Sequence, residues 1–207
     1  MRPEIALLLL GMALAAGGCD RTSTPPEQAN ATAAATDQTV PEGDGTVPDV
    51  EDTPATPAQS TAGALDRSHK GEAAPTDTFL DPHGKPVTLA DFRGKPVLLN
   101  LWATWCAPCV KEMPTLDTLA GKLDGKVQVL AVSQDLEGAA KVVPWFETRT
   151  FARLKPYLDS DAGLSTTLGI NLPTTILYDA QGKELWRTSG EMDWTGAKAA
   201  ALVAEAG

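Results

Sequence analysis

The chain has 207 residues, enough for one domain with extensions, and its hydrophobic share of 43% is ordinary for a globular protein. Its formal net charge of −10 argues against nucleic acid as a partner, because phosphate binding needs clustered Lys and Arg. Residues 20–72 hold ten acidic and three basic side chains, residues 1–19 are neutral, and residues 73–207 carry the remaining −3. The chain therefore divides into a strongly acidic segment and a mildly acidic one.

The N-terminus has the composition of a secretion signal. Arg2 precedes an apolar run from Ile5 to Ala16, which is short for a bilayer span but fits the apolar region of a signal peptide. The small residues ending at Cys19 resemble a bacterial lipobox, with Ala16 where Leu is preferred. The resemblance implies a signal peptide over residues 1–18 and lipidation of Cys19. Cleavage after "ALA" (13–15) is the alternative, and it would release a soluble periplasmic product.

Residues 19–72 are predicted to be a disordered tether. They are rich in Thr, Pro, Ala, Asp and Glu, and the first aromatic residue of the chain is Phe79. Such a segment buries too little apolar surface to offset the entropy lost on ordering. Asp20 resembles the residue that retains many lipoproteins in the inner membrane. We expect a periplasmic domain, residues 73–207, fixed to that membrane by a lipid anchor.

Strand patterns recur along the predicted domain. The segments "KPVLLNLW" and "KVQVLAVS" are apolar and β-branched, which is typical of strands buried on both faces. Two antiparallel hairpins are predicted, one from "TFLDPHGKPVTL" and one from "PTTILYD" and "KELWRTSG" around the turn "AQG". The segment "LKPYLD" indicates another short strand.

Four segments predict helices. The first begins after Cys106 and runs to about Leu123. The others cover residues 137–149, with Pro144 as a kink or late start, residues 161–168, ended by Gly169, and residues 195–206. This order of strands and helices predicts an α/β fold with a central mixed sheet flanked by helices.

The stretch "NLWATWCAPCVKEMP" places Cys106 and Cys109 where a buried strand passes into a helix. Structural zinc needs four Cys or His ligands, whereas His69 and His83 lie upstream without ligand spacing. Attachment of c-type haem needs His directly after the second cysteine, and Val110 stands there. A structural disulfide remains an alternative, although a loop of two intervening residues constrains the unfolded chain very little.

Redox chemistry accounts for the position of the pair. Amides at a helix N-terminus favour negative charge, which lowers a thiol pKa and populates the thiolate. Cys106 is predicted to be the nucleophile, and Cys109, on the same face, to resolve the mixed disulfide. Pro108 suits a first helical turn, since its missing N–H would be unpaired there anyway. No metal and no cofactor beyond the redox-active disulfide is expected.

At these residues the chain resembles the thioredoxin superfamily, and "NLWATWCAPCVKEMP" is similar to its TlpA/ResA-like branch of membrane-tethered periplasmic thiol-disulfide oxidoreductases. The resemblance covers residues 73–207 and implies a thioredoxin-like fold with an added N-terminal β-hairpin. "NLPTT" resembles the cis-proline loop of that family, with Pro173 facing the cysteines. The resemblance implies substrate contacts from four residues: Trp105, Pro108, Leu172 and Pro173.

Asn100 stands six residues before Cys106, where ordinary thioredoxins carry a buried Asp. The TlpA/ResA-like branch has a functional acid three residues after the second cysteine, which corresponds to Glu112. On a continuous helix Glu112 shares a face with Cys109. We predict that Glu112 raises the thiol pKa values by charge repulsion and accepts the proton of Cys109. The alternative is a solvated surface glutamate.

The direction of electron flow is inferred from Ala107 and Pro108. Strong oxidants of the superfamily stabilise their thiolate partly through a residue between the cysteines, and this chain has no histidine there. The protein is therefore expected to be a reductant. The resemblance implies a membrane thiol carrier of the DsbD/CcdA type as electron donor, and apocytochrome c or copper-site cysteines as substrates. A copper-binding chaperone and a thiol peroxidase are the alternatives.

Overall fold

The structure, a computed structural model, describes residues 63–207 and builds them around one mixed β-sheet. The strands are β1 (Ala64–Asp66), β2 (Phe79–Leu80), β3 (Pro86–Val87), β4 (Val97–Trp102), β5 (Gln128–Ser133), β6 (Tyr157–Leu158), β7 (Thr174–Tyr178) and β8 (Glu184–Ser189). They lie in the sheet in the order β1-β8-β7-β4-β5-β6-β2-β3. The helices are α1 (Ala107–Leu123), α2 (Ala139–Glu147), α3 (Gly163–Leu168) and α4 (Ala197–Val203).

Strand β4 is the centre of the sheet because it pairs with β5 in parallel and with β7 in antiparallel orientation. Helix α1 connects β4 to β5, as expected for a crossover between parallel neighbours. Strands β7 and β8 form the predicted C-terminal hairpin, and β2 and β3 form the predicted N-terminal one. The predicted α/β fold with a central mixed sheet and an added hairpin is confirmed.

The side chains of β4 alternate between two buried clusters on opposite faces of the sheet. Leu98 and Trp102 pack in the cluster that includes both cysteines and residues of α1, α2 and α4. Leu99 and Leu101 pack in the other cluster, with Leu164 of α3. Asn100 lies between Leu98 and Trp102 on the α1 side, so a polar residue enters the core directly beneath that helix.

Three predicted boundaries were wrong. The domain was predicted to begin at residue 73, but β1 lies within the predicted tether and pairs with β8. This edge strand is short and mostly exposed, so backbone pairing positions it without any apolar run in the sequence. Helix α2, predicted to begin at residue 137, begins after Gly138, whose positive φ of 55° is non-helical. Helix α3, predicted to begin at residue 161, begins at Gly163, where the Asp159 carboxylate accepts hydrogen bonds from the first backbone amides.

The predicted signal peptide, Cys19 and the tether up to residue 62 lie outside the described residues. Within residues 63–207, no helix combines the length and the apolar character that a membrane crossing requires.

Candidate active site

The two cysteines lie at the start of α1 and form a disulfide, with 5.2 Å between their Cα atoms. Cys106 is the N-cap residue of the helix, and its sulfur accepts a hydrogen bond from the backbone N–H of Cys109 at 3.4 Å. Pro108 lies in the first turn, as predicted, and it is exposed, whereas both cysteines are buried. A thiolate on Cys106 would therefore be stabilised by helix amides.

The loop before β7 approaches the same end of the sheet. The Leu172–Pro173 peptide bond is cis, as predicted. The loop is anchored because Gly190 N–H donates to the Pro173 carbonyl at 2.9 Å and Thr174 Oγ1 donates to the Asn171 carbonyl at 2.6 Å. Leu172 packs against the buried cluster that contains both cysteines.

Glu112 is a buried carboxylate on the inner face of α1, with a side chain only 2% exposed. Its Oε1 atom accepts a hydrogen bond from Asn100 Nδ2 at 2.7 Å. Its Oε2 atom accepts from the backbone N–H of Met192 at 3.1 Å and from Trp194 Nε1 at 3.3 Å. The alternative of a solvated surface glutamate is thus ruled out by its burial.

No cation contacts Glu112 among the residues that the structure describes, so burial determines its titration. Burial raises the pKa of Glu112 from 4.5 to about 7, while the hydrogen bonds from Asn100, Met192 and Trp194 oppose this rise. The nearby Glu191 carboxylate raises it further. A carboxyl that titrates near neutral pH can both accept and return a proton under physiological conditions.

Asn100 connects Glu112 to the sheet. Its amide nitrogen also donates to Thr175 Oγ1 at 2.9 Å, across the β4–β7 register that pairs the two residues. Its Oδ1 atom is buried and has no hydrogen-bond partner among the described residues. Asn100 therefore does not replace the acid of ordinary thioredoxins, but it holds the carboxylate that approaches from the helix side.

The sequence interpretation missed the loop that closes over Glu112. This loop follows β8 and contributes the Met192 amide and the Trp194 indole, about 80 residues away from Glu112. The ion pair between Lys111 and Glu191, at 2.7 Å, also ties the loop to α1. In the sequence, the only signal for a buried loop here was the presence of two large apolar residues, Met192 and Trp194, in the otherwise polar stretch "GEMDWTG".

A second buried carboxylate, Asp135, was also missed. It follows β5 and accepts hydrogen bonds from the backbone N–H of Thr104 at 2.9 Å and from its hydroxyl at 2.6 Å. The Ser133 hydroxyl donates to the same carboxylate at 2.7 Å. Asp135 thus fixes the loop that carries Trp105 and Cys106.

An open cleft of about 610 Å³ lies beside this loop. Trp105 and Leu172, both predicted to contact substrate, are part of its lining. Trp105 is 68% exposed, whereas Trp102 is completely buried, so the two tryptophans of the motif have different environments. Gln134, Leu136 and further residues complete the lining, and the sequence interpretation had not selected them.

Among residues 63–207, no group of three or more His, Cys, Asp or Glu side chains is arranged to hold a metal ion. The residues that converge at the site are two cysteines, a neutral-titrating carboxyl and a cis-proline loop. Fold and site together define a thioredoxin-like protein with a dithiol/disulfide centre.

Comparisons with known proteins agree with that class. The sequence model of the Redoxin family matches residues 69–203. The thiol-disulfide oxidoreductase ResA of Bacillus thuringiensis subsp. konkukian is 37% identical over 123 residues, which are 58% of this chain and 70% of ResA.

Two solved structures are similar to this one. The proposed thiol:disulfide interchange protein DsbE of Chlorobium tepidum has a TM-score of 0.60 at 26% identity, over 69% of this chain and 99% of that protein. The exposed lipoprotein thioredoxin Etrx1 of Streptococcus pneumoniae has a TM-score of 0.54 at 25% identity, over 62% of this chain and 98% of that protein.

The chain belongs to the Redoxin family and is a ResA-like thiol-disulfide oxidoreductase of the thioredoxin superfamily. The predicted family, fold and enzyme class are confirmed. The individual roles of the site residues, the cellular location and the partners stay predictions.

Proposed function

We propose that this protein reduces disulfides of envelope proteins in the bacterial periplasm, with Cys106 and Cys109 as the reacting dithiol. The observation that carries the proposal is the cysteine pair at the N-terminus of α1, with the neutral-titrating Glu112 on the same helical face. The absence of a histidine between the cysteines favours a reductant, because less stabilisation is available to the reduced form.

The reaction begins on the reduced enzyme. The Cys106 thiolate attacks one sulfur of the substrate disulfide, and the other substrate sulfur leaves as a thiolate that takes up a proton. Cys109 then attacks the Cys106 sulfur, which forms the Cys106–Cys109 disulfide and releases the second substrate thiol. Two electrons and two protons pass to the substrate in one cycle.

Glu112 is the proposed proton acceptor for Cys109. Its raised pKa makes the carboxylate a stronger base than an exposed glutamate, and its place one turn after Cys109 puts both groups on one helical face. When Cys109 is deprotonated, its thiolate attacks the mixed disulfide. In the resting dithiol, a carboxylate at this position raises the thiol pKa values by repulsion.

Trp105, Pro108, Leu172 and Pro173 are the proposed substrate-contacting residues. Trp105 and Pro108 flank Cys106 in an exposed position, which supports contact with a partner protein. Leu172 lies outside the strands, and its backbone makes no hydrogen bond to the backbone of another residue within 63–207, which supports pairing with an extended segment of the substrate.

We further propose lipidation of Cys19 and attachment to the inner membrane through the acidic tether. The lipobox-like sequence supports this proposal, and one structural relative is by name an exposed lipoprotein. A reductant in an oxidising compartment must itself be reduced again after each reaction. The proposed electron donor is a membrane thiol carrier of the DsbD/CcdA type. Apocytochrome c and copper-site cysteines are the proposed substrates. Mass spectrometry of the mature protein tests the anchor, since an unacylated N-terminus contradicts it.

The main experiment traps partners with Cys109→Ser in the native cell envelope. This variant keeps Cys106 able to attack but cannot resolve the mixed disulfide, so covalent complexes should accumulate. The additional change Cys106→Ser should abolish them. Persistence of the complexes would reverse the proposed roles of the two thiols.

Two assays separate the proposed reductase from its alternatives. Reduction of insulin disulfides by the purified protein is expected, whereas a copper chaperone without turnover would be inactive. Rapid consumption of peroxide would instead support a thiol peroxidase. A reduction potential near that of the strong periplasmic oxidants would overturn the direction of electron flow proposed here.

A further inference from the structure

We propose that strand β1, through Gly63, holds the loop of residues 190–194 closed over Glu112. Gly63 and β1 belong to the stretch that was predicted to be tether, so the end of this stretch supports the active site as well as joining the domain to its proposed anchor. This inference rests on the proposed role of Glu112 in the reductase. It makes Gly63 a positioning residue, which acts on Glu112 through Met192.

The loop covers the Glu112 carboxylate with two residues. The Met192 backbone N–H and the Trp194 indole N–H both donate to Glu112 Oε2, at 3.1 Å and 3.3 Å. The side chains of Met192 and Trp194 are buried in the cluster that contains both cysteines. Burial is the largest cause of the raised pKa of Glu112, so the closed position of this loop maintains that pKa.

The side chain of Met192 extends from this loop to the start of β1. Gly63 is buried and directly precedes that strand. A Cβ atom there would lie 3.7 Å from Met192 Sδ, 3.7 Å from Thr188 Oγ1 and 3.4 Å from Lys198 Nζ. These three atoms belong to the loop, to β8 and to α4, so Gly63 lies where three elements meet. A branched side chain at this position would not fit unless at least one of the three moved.

The backbone at Gly63 is fixed from two sides. Its φ of 67° lies in the left-handed region that residues with a Cβ rarely adopt. The Gly63 carbonyl accepts a hydrogen bond from Lys198 Nζ at 3.0 Å, and the next residue, Ala64, pairs with Ser189 of β8. Gly63 is therefore a fixed surface for Met192 rather than a loose chain end.

The middle of the loop has little other support. Glu191 pairs with Lys111 at 2.7 Å, but the Lys111 side chain is largely exposed, and exposed ion pairs contribute little to stability. Met192, the next residue, is the buried attachment. Strand β1 is fixed independently of the loop, because all three of its residues pair with β8. Displacing Met192 should therefore open the loop while β1 stays in place.

The charges around Glu112 can be kept constant while this contact is tested. The loop carries Glu191 and Asp193, β4 carries no ionisable residue, and in the oxidised protein the two cysteines of α1 do not titrate. The remaining charged groups are Lys111 on α1 and Lys198 on α4. Variants that leave these residues intact report on burial, because water that enters beneath an opened loop lowers the pKa of a buried carboxyl.

The test measures the pKa of Glu112 in the oxidised full-length protein. The method is ¹³C NMR of the side-chain carboxyl carbon, whose signal is identified by its loss in Glu112→Gln. Gly63→Val introduces a branched side chain at positive φ and should displace Met192. The pKa of Glu112 should fall from about 7 by about one unit, a tenfold change in the ionisation constant. Exchange of the Met192 amide proton should become about tenfold faster.

Three further variants make the test specific. Gly63→Ala adds only the Cβ and should give a smaller fall, which decides the test if Gly63→Val does not fold. Gly71→Val is the matched control, because Gly71 also has a positive φ, 89°, but a Cβ there would meet no described group within 4 Å. It should leave the pKa of Glu112 unchanged. Met192→Ala should lower this pKa, and adding Gly63→Val to it should change the value little further, because both act on one contact.

Each other outcome overturns the role of Gly63. An unchanged pKa of Glu112 in both Gly63 variants, or an equal fall in Gly71→Val, would remove its basis. A rise would mean that the loop stays closed and loses only a hydrogen bond, and fully additive falls in the double variant would mean that Gly63 and Met192 act separately. The titration does not depend on turnover, so a wild-type protein that fails to reduce insulin would contradict the reductase function and leave this result standing.

Discussion

Two glutamates of this domain are equally buried but have opposite surroundings. Glu112 on α1 and Glu184 on β8 are each 2% exposed. Both oxygens of Glu184 accept hydrogen bonds from Arg187, one from Nε and one from Nη2, each at 2.7 Å. The Glu112 carboxylate accepts three hydrogen bonds, all from uncharged donors.

The difference separates a carboxylate that is paired with a cation from one that titrates near neutral pH. In the Glu184–Arg187 pair the guanidinium neutralises the carboxylate, and the pKa of Arg187 is raised by its hydrogen bonds to Glu184. At Glu112 burial acts without a neutralising cation, so the pKa rises to about 7. A buried acid without a cation is costly to ionise, and such groups concentrate at functional sites.

Breaking the Glu184–Arg187 pair should have the largest effect on stability. Arg187→Met leaves a buried carboxylate without its cation and should lower the free energy of unfolding by about 3–5 kcal/mol. The rate of insulin reduction by the folded fraction should stay unchanged. Urea unfolding measures the loss, and the double variant Glu184→Met/Arg187→Met should recover much of it. A loss of activity without a loss of stability would contradict the structural role of the pair.

Glu112 should produce a pH dependence of stability in the oxidised protein. The pKa of Glu112 is about 7 in the folded state, and in the unfolded state the carboxyl has the ordinary value of 4.5. Between these two pH values only the folded state keeps the proton. Stability should therefore fall as pH rises from 4.5 to 7, by up to about 3 kcal/mol, and stay level above that window. The measurement is the difference between the wild type and Glu112→Gln in urea unfolding across this range. An equal pH dependence of the two proteins would contradict the raised pKa.

Kinetically, Glu112→Gln should slow the resolving step about a hundredfold. The amide cannot accept the proton of Cys109, and the thiol pKa values should fall because a negative charge is lost. Stopped-flow measurement of mixed-disulfide decay and titration of the thiols test both effects. Glu147→Gln, at an exposed position of α2, is the matched control and should behave like the wild type. If Glu112→Gln also matches the wild type, Glu112 has no part in proton transfer.

The smallest expected effect is that of Trp194→Phe. It removes the donor that lies 3.3 Å from Glu112 Oε2, so the pKa of Glu112 should rise by less than about one unit. Trp186→Phe is the control, since its indole donates to the Leu202 carbonyl at 3.0 Å and does not contact Glu112. Both variants should lose similar stability, but only Trp194→Phe should move the pH window of the preceding measurements upward. An unchanged window would mean that the indole does not influence the carboxyl.

The sequence by itself determined most of the fold. The apolar, β-branched character of β4 and β5 and the turn residues of the two hairpins are local signals, and the corresponding elements were predicted. The β1 strand was not, because a three-residue edge strand is defined by its partner β8 rather than by its own side chains. Helix starts were predicted only approximately, because capping residues such as Gly138 and Asp159 decide them rather than the apolar pattern.

The sequence also determined the reacting groups, since Cys106, Cys109 and the cis-proline loop are carried by short motifs. Even the burial of Glu112 was within reach, because it shares a helical face with Cys109, Met113 and Leu116.

Only the tertiary structure decided the environment of these groups. The donors around Glu112 come from β4 and from the loop after β8, and the cleft combines the segment after β5 with the loop before β7. A pKa or an unpaired donor depends on which groups meet in space and on how much water they exclude. Neither quantity is encoded in local spacing, because the contacts that set it join residues that are far apart along the chain.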